Sequence, residues 1–132
     1  MTLEELQKIE IPECKHNRND VVHRIRVYYP EEKLKINNII GDFVFNGFVI
    51  LEYNAYEMRF NEDYVITDIP NAPNLNGDYF YLHPIKPKKI TYLYHTKKQM
   101  VDLINELKLK RNHYEKQRKI KEKKLAISKD FQ

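Results

Sequence analysis

Tryptophan is absent from these 132 residues, glycine occurs only as Gly41, Gly47 and Gly77, and Cys14 is the lone cysteine. Three scattered glycines cannot build a phosphate-cradling loop, which excludes the common nucleotide-binding signatures. A single thiol allows no intrachain disulfide, so a reducing cytoplasm is the expected compartment. No apolar run approaches the roughly 20 residues a membrane helix needs. The acidic start Met1-Thr2-Leu3-Glu4-Glu5-Leu6 also lacks the basic-then-apolar order of a secretory signal. What the chain has in quantity is tyrosine, at ten positions. Tyrosine favours strands, because its ring can lie against a sheet while the hydroxyl stays wet.

Periodicity predicts an α+β chain. Residues 2–9 form a two-turn helix, with Thr2 and Glu5 as a capping-box pair and Leu3, Leu6 and Ile9 on one face; Pro12 stops it. Residues 13–20 read as a polar loop. Alternating patterns predict strands at 21–29, at 33–45 with a bulge near Gly41, and at 48–56. Asn46-Gly47 closes the hairpin between the last two, since both residues tolerate positive φ. Residues 59–63 read as a turn, 64–69 as a strand, and 70–77 as a loop rich in turn formers. Further strands are expected at 78–83, ending or lying at an edge because of Pro84 and Pro87, and at 90–94. Thr96 and Gln99 make a second capping box. It opens a helix whose Met100, Leu103, Ile104 and Leu107 should cover the sheet. Beyond Leu107, the residues Leu109, Tyr114, Ile120 and Leu125 share no continuous face. The remainder is therefore expected to project as a solvated or partner-bound helix that frays near Ser128. The fold class that results is a twisted antiparallel sheet of about five strands with a C-terminal helix packed on it. The organisation is an N-terminal extension (1–20), an α+β domain (21–107) and a basic helical extension (108–132).

Charge is distributed unevenly. The chain carries +4 overall, yet Lys108, Lys110, Arg111, Lys116, Arg118, Lys119, Lys121, Lys123 and Lys124 face only Glu115 and Glu122 within their stretch. A mildly acidic body with a basic tail is a layout shared by many proteins that touch nucleic acid; the alternative is a solvated helix that maintains solubility. Other chemistry finds little support. Cys14, His16 and His23 lack the fourth ligand and paired spacing of a zinc site. Cys14 with His16 has no orienting group or oxyanion site, and His83 before Pro84 reads as a structural imidazole. Asp42, Asp63, Asp68 and Asp78 fall at strand ends and turns, where aspartate bonds to backbone. No enzyme activity, metal or cofactor is expected.

The runs Arg24-Ile25-Arg26-Val27, Lys33-Leu34-Lys35, Phe48-Val49-Ile50, Tyr64-Val65, Gly77-Asp78-Tyr79 and His83-Pro84-Ile85, followed by an amphipathic helix, occur in a telling order. Over about residues 21–107 this order resembles the septation-regulator (SpoVG-like) family of bacterial proteins. The chain differs in about 20 residues before the first strand, a longer turn before Tyr64, and asparagines after Pro70 where the family has basic residues. It also has ten residues between Ile85 and the helix. The resemblance implies a sheet with one helix across it, a homodimer joined at sheet edges, and nucleic-acid binding through basic residues at the helical end. Carried onto this chain, those positions are Lys86, Lys88, Lys89, Lys97, Lys98, Lys108, Lys110 and Arg111, continuing to Lys116, Arg118 and Lys119. Tyr92, Tyr94 and Tyr114 lie near these cations, where they could stack on unpaired bases or fill the sheet.

The functional expectation is a non-catalytic DNA- or RNA-binding regulator. Exchange of Lys108, Lys110 and Arg111 for glutamate is expected to abolish binding and leave the fold intact. The alternative is a protein-binding module of phage or mobile-element origin, an inhibitor or adaptor whose basic helix docks on an acidic protein. A membrane-surface role is disfavoured by the sparse apolar face of the tail.

Overall fold

The computed structural model describes residues 1–18, 36, 38–72 and 77–130. Its elements run α1 (Leu3–Gln7), β1 (Cys14–Arg18), β2 (Gly41–Phe45), β3 (Phe48–Tyr53), β4 (Glu57–Phe60), β5 (Asp63–Ala72), β6 (Gly77–Ile85), β7 (Lys88–Thr91) and α2 (Lys97–Asp130). The fold is α+β. Five antiparallel strands form one sheet in the order β1-β2-β3-β4-β7, while β5 and β6 form a separate two-stranded hairpin. The strand expected at 21–29, and the start of the one expected from 33, lie outside the described residues.

Local chemistry sets several boundaries. The Thr2 hydroxyl accepts from the Glu5 amide at 3.2 Å and the Glu5 carboxylate accepts from the Thr2 amide at 3.2 Å, closing the first capping box. Thr96 and Gln99 repeat that exchange at 2.8 and 3.1 Å before α2. Asn46 and Gly47 take φ of 51° and 81°, so the two-residue turn joins Phe45 to Phe48 as their chemistry requires. The bulge lies further along than expected: Phe43 pairs with Leu51 and Val44 with Val49, which leaves Ile50 as the extra residue. β3 ends where the Asn54 carboxamide accepts from the amides of Tyr56 and Glu57, both at 2.8 Å. Gly41 is required by close approach, since a Cβ there would fall inside the Tyr53 ring.

Three local expectations are corrected. Residues 14–18, read as loop, form β1, because Cys14 and His16 pair opposite Phe45 and Phe43 while Lys15 and Asn17 face the other way. Residues 57–60 form β4 rather than leading into a turn at 59: Met58 and Phe60 are buried and alternate with Glu57 and Arg59. The turn is confined to residues 61–62. Pro70, Asn71 and Ala72 continue β5 instead of opening a loop; a two-stranded hairpin has only edge strands, and these tolerate proline.

One face of the large sheet carries the core. Leu6, Ile9 and Ile11 from the N-terminal segment, Phe43, Phe45, Leu51, Tyr53, Met58 and Phe60 from the strands, and Met100, Ile104 and Leu107 from α2 are all buried together. Each such side chain contributes about 1.5–3 kcal/mol on leaving water, so the proximal part of α2 is fixed to the sheet by burial. The other face carries a polar row across successive rungs, Asn17–Asp42–Glu52–Arg59–Lys89. The Asp42 carboxylate accepts from Asn17 at 2.7 Å and that of Glu52 from the Ile36 amide at 3.0 Å.

Candidate nucleic-acid interface

The α2 helix is continuous for 34 residues, about 50 Å at 1.5 Å per residue. That length separates the expected binding residues into groups with different surroundings. Arg111 is completely buried. Its guanidinium carbon lies 3.5 Å from the Phe48 ring centre and 4.6 Å from that of Tyr64, with a nitrogen 3.7 Å from Glu115. It thus ties β3, the β5–β6 hairpin and α2 together, a desolvated cation–aromatic contact of about 2 kcal/mol or more. Arg118 is also buried. It bonds Glu115 through two nitrogens at 3.0 and 3.1 Å and Glu122 through a third at 2.6 Å.

These contacts correct, for residues 111–118, the expectation of a helix that projects as a solvated or partner-bound element beyond Leu107; Lys119, Ile120, Lys121, Lys123 and Lys124 are exposed as expected. Tyr114 packs edge-on against Tyr64 at 5.6 Å, and its hydroxyl donates to Asp63 at 3.3 Å. The apolar stripe does thin there, but aromatic and arginine side chains replace it as the packing face. Neither Arg111 nor Arg118 presents an open guanidinium to phosphate. Replacement of Arg111 would consequently disturb the fold, against the expectation of a neutral exchange.

Four of the predicted lysines are engaged at the surface. Lys88 pairs with Glu62 at 2.6 Å, Lys89 with Glu57 at 3.2 Å and Lys110 with Glu106 at 3.6 Å. The Glu62 bond and charge raise the Lys88 pKa above its ordinary value. Lys108 donates to the Pro12 carbonyl at 2.6 Å and lies 5.6 Å from the Phe45 ring centre. Lys86, Lys97, Lys98, Lys116 and Lys119 are exposed and make no ion pair among the described residues. Lys86 occupies a turn with φ of 35°. Lys97 and Lys98 stand at the start of α2, about 30 Å along its axis from the Lys116–Lys119 region. Here the expected set does not come together.

Within the distal stretch, Lys121, Lys123 and Lys124 share the exposure of Lys116 and Lys119. The two glutamates of that stretch are both bound by arginine. Arginine therefore takes up the local negative charge inside the packing face, and among the described residues the five lysines have no acidic neighbour bound to them. Lys116, Lys119 and Lys123 fall on the outward face, with Lys121 and Lys124 toward one flank. Charge counting identified this stretch; it could not separate the structural arginines from the free lysines.

Two grooves adjoin α2. At its proximal end Phe60, Ile90 and Leu103, together with Glu62, Asp102 and Glu106, line a groove of about 470 Å³. At the distal end Tyr64, Val65 and Ile66 of β5 face Tyr114, Gln117, Ile120 and Lys121 across about 430 Å³. Sequence reasoning missed the distal groove, because its walls come from segments far apart in the chain.

The remaining candidates, Tyr94 apart, are structural. Tyr92 is buried and donates to the Asn54 carbonyl at 2.7 Å, burial pushing its pKa to about 12. Tyr94 is exposed. His16 stacks on Phe43 at 4.0 Å; its Nδ1 donates to the Ile9 carbonyl at 2.8 Å and its Nε2 accepts from the Tyr53 hydroxyl at 2.6 Å. Both ring nitrogens are thereby occupied. Burial lowers the His16 pKa, opposed by the Ile9 bond, and burial pushes the Cys14 thiol up to about 11. Among the described residues no group of three His, Cys, Asp or Glu side chains could hold a metal ion, and no helix is long and apolar enough to cross a membrane. No family model matches the chain, and no curated protein or solved structure matches it.

Proposed function

We propose that this protein is a non-catalytic nucleic-acid-binding protein, of regulatory type, which contacts the polyanion through the distal part of α2. The observation that carries this reading is the division of charge there. Arg118 holds both Glu115 and Glu122, while Lys116, Lys119, Lys121, Lys123 and Lys124 stand exposed on a helix fixed to the body by Arg111 and Tyr114. Fixed ammonium groups at helical spacing exchange their counterions for phosphates, and the release of ions bound to the nucleic acid supplies the affinity. Such contacts position a chain of phosphates without reading sequence. The β-sheet acts as scaffold, and the cations at Lys88, Lys89, Lys108 and Lys110 contribute less because each already has an internal partner.

The test is fluorescence anisotropy of labelled oligonucleotides with nuclease-treated, full-length protein. Binding should be present at roughly 50 mM salt and weaken about a hundredfold by roughly 200 mM, as five phosphate contacts require. Absence of binding at low salt, or binding indifferent to salt, contradicts the reading.

A further inference from the structure

The groove beside the free lysines adds a requirement that charge alone does not make. It is lined by Tyr64, Val65 and Ile66 on β5 and by Tyr114, Gln117, Ile120 and Lys121 on α2. Val65 and Ile120 remain 48% and 53% exposed, a large apolar exposure for side chains that flank a basic surface. Among the described residues no acidic side chain lines it. The volume of about 430 Å³ lies within the range of small-molecule sites.

Resting on the polyanion reading above, we infer that the protein prefers single-stranded nucleic acid and that this groove receives an unpaired base. The lysines continue along α2 past the groove, so the occupant must be anionic along its length and apolar where it passes β5. A strand with its phosphates on Lys116–Lys124 and one base turned toward Tyr114 meets both conditions. A duplex keeps its bases stacked inside and cannot. A second copy of this chain is disfavoured, because pairing two such grooves brings the two sets of lysines against each other. Bases enter such clefts by stacking and apolar contact, largely without regard to sequence.

The probes are a labelled oligothymidylate, an abasic strand of equal length and charge, and the matching duplex, each titrated against the full chain. Oligothymidylate should bind about tenfold more tightly than the abasic strand. The double substitution Val65→Gln with Ile120→Gln makes the groove polar without altering charge. It should erase that advantage, leave the abasic affinity unchanged, and spare the fold because both residues are half exposed. Equal affinity for oligothymidylate and the abasic strand in the parent protein overturns the base site while leaving the charge reading standing; failure of every strand to bind overturns both. If oligothymidylate shows no advantage and an acidic amphipathic peptide binds the parent but not the double variant, the groove belongs to a protein ligand and the inference is wrong.

Discussion

The two halves of α2 carry similar charged residues and use them differently. In the proximal half, Met100, Ile104 and Leu107 are buried against the sheet, and the cations Lys108 and Lys110 end on a carbonyl and a glutamate. In the distal half the packing face is aromatic and cationic, with Tyr114 against Tyr64 and Arg118 between two glutamates, while the lysines have no such partners among the described residues. Arg111 sits at the junction, its planar guanidinium between Phe48 and Tyr64. The difference follows from the side chains. A guanidinium is weakly hydrated and stacks on rings, so it can be buried; an ammonium is strongly hydrated and stays in water. A basic stretch thus divides into structural arginines and available lysines.

The sharpest way to break that comparison is Arg111→Ala. Loss of the ring contacts and of a fully buried side chain should lower stability by about 3 kcal/mol or more in urea unfolding. Lys116→Ala should stay within about 0.5 kcal/mol. Equal, small effects would remove the distinction. Next in size, Leu107→Ala in the proximal half should cost about 2–5 kcal/mol, whereas Ile120→Ala, half exposed in the distal half, should cost well under 1 kcal/mol.

Acid offers a smaller effect confined to the sheet side. The His16 pKa is lowered in the folded protein by burial, so between that value and about 6.5 the unfolded chain binds the extra proton. Stability should therefore be fully present above about pH 6.5 and fall as pH drops below it. Binding by the folded protein should not weaken over the same interval. Thermal unfolding at pH 7.5 and 5.5, compared with His16→Gln, checks this; a melting temperature that rises on acidification contradicts the geometry at His16.

Local features were legible in the sequence. Both capping boxes, the Asn46-Gly47 turn and the apolar stripe at Met100, Ile104 and Leu107 depend on neighbours a few residues away, and each appears as expected. β4 was missed: Glu57, Met58, Arg59 and Phe60 do alternate, but the polar residues that follow Phe60 drew the turn back to Arg59. β1 was hidden because its core-side positions are a half-buried cysteine and histidine, and what makes them inward-facing is pairing with Phe45 and Phe43 on a distant strand. The role of Arg111 was hidden for the same reason, whereas the partners of Arg118, Glu115 and Glu122, are its neighbours on the helix and only its burial was out of reach. Their charges are visible in the chain, whereas the rings of Phe48 and Tyr64 meet Arg111 only after the hairpin docks. The distal groove likewise exists only in three dimensions.

The central claim is that the outward lysines of distal α2 bind phosphate while the arginines hold the helix in place. Its most direct test is the salt dependence of single-strand binding for the full chain and for the triple variant Lys116→Gln, Lys119→Gln and Lys123→Gln. The slope of log affinity against log salt should become shallower by about 2, with an unchanged urea midpoint. A triple variant that keeps the parent's slope and affinity would contradict it.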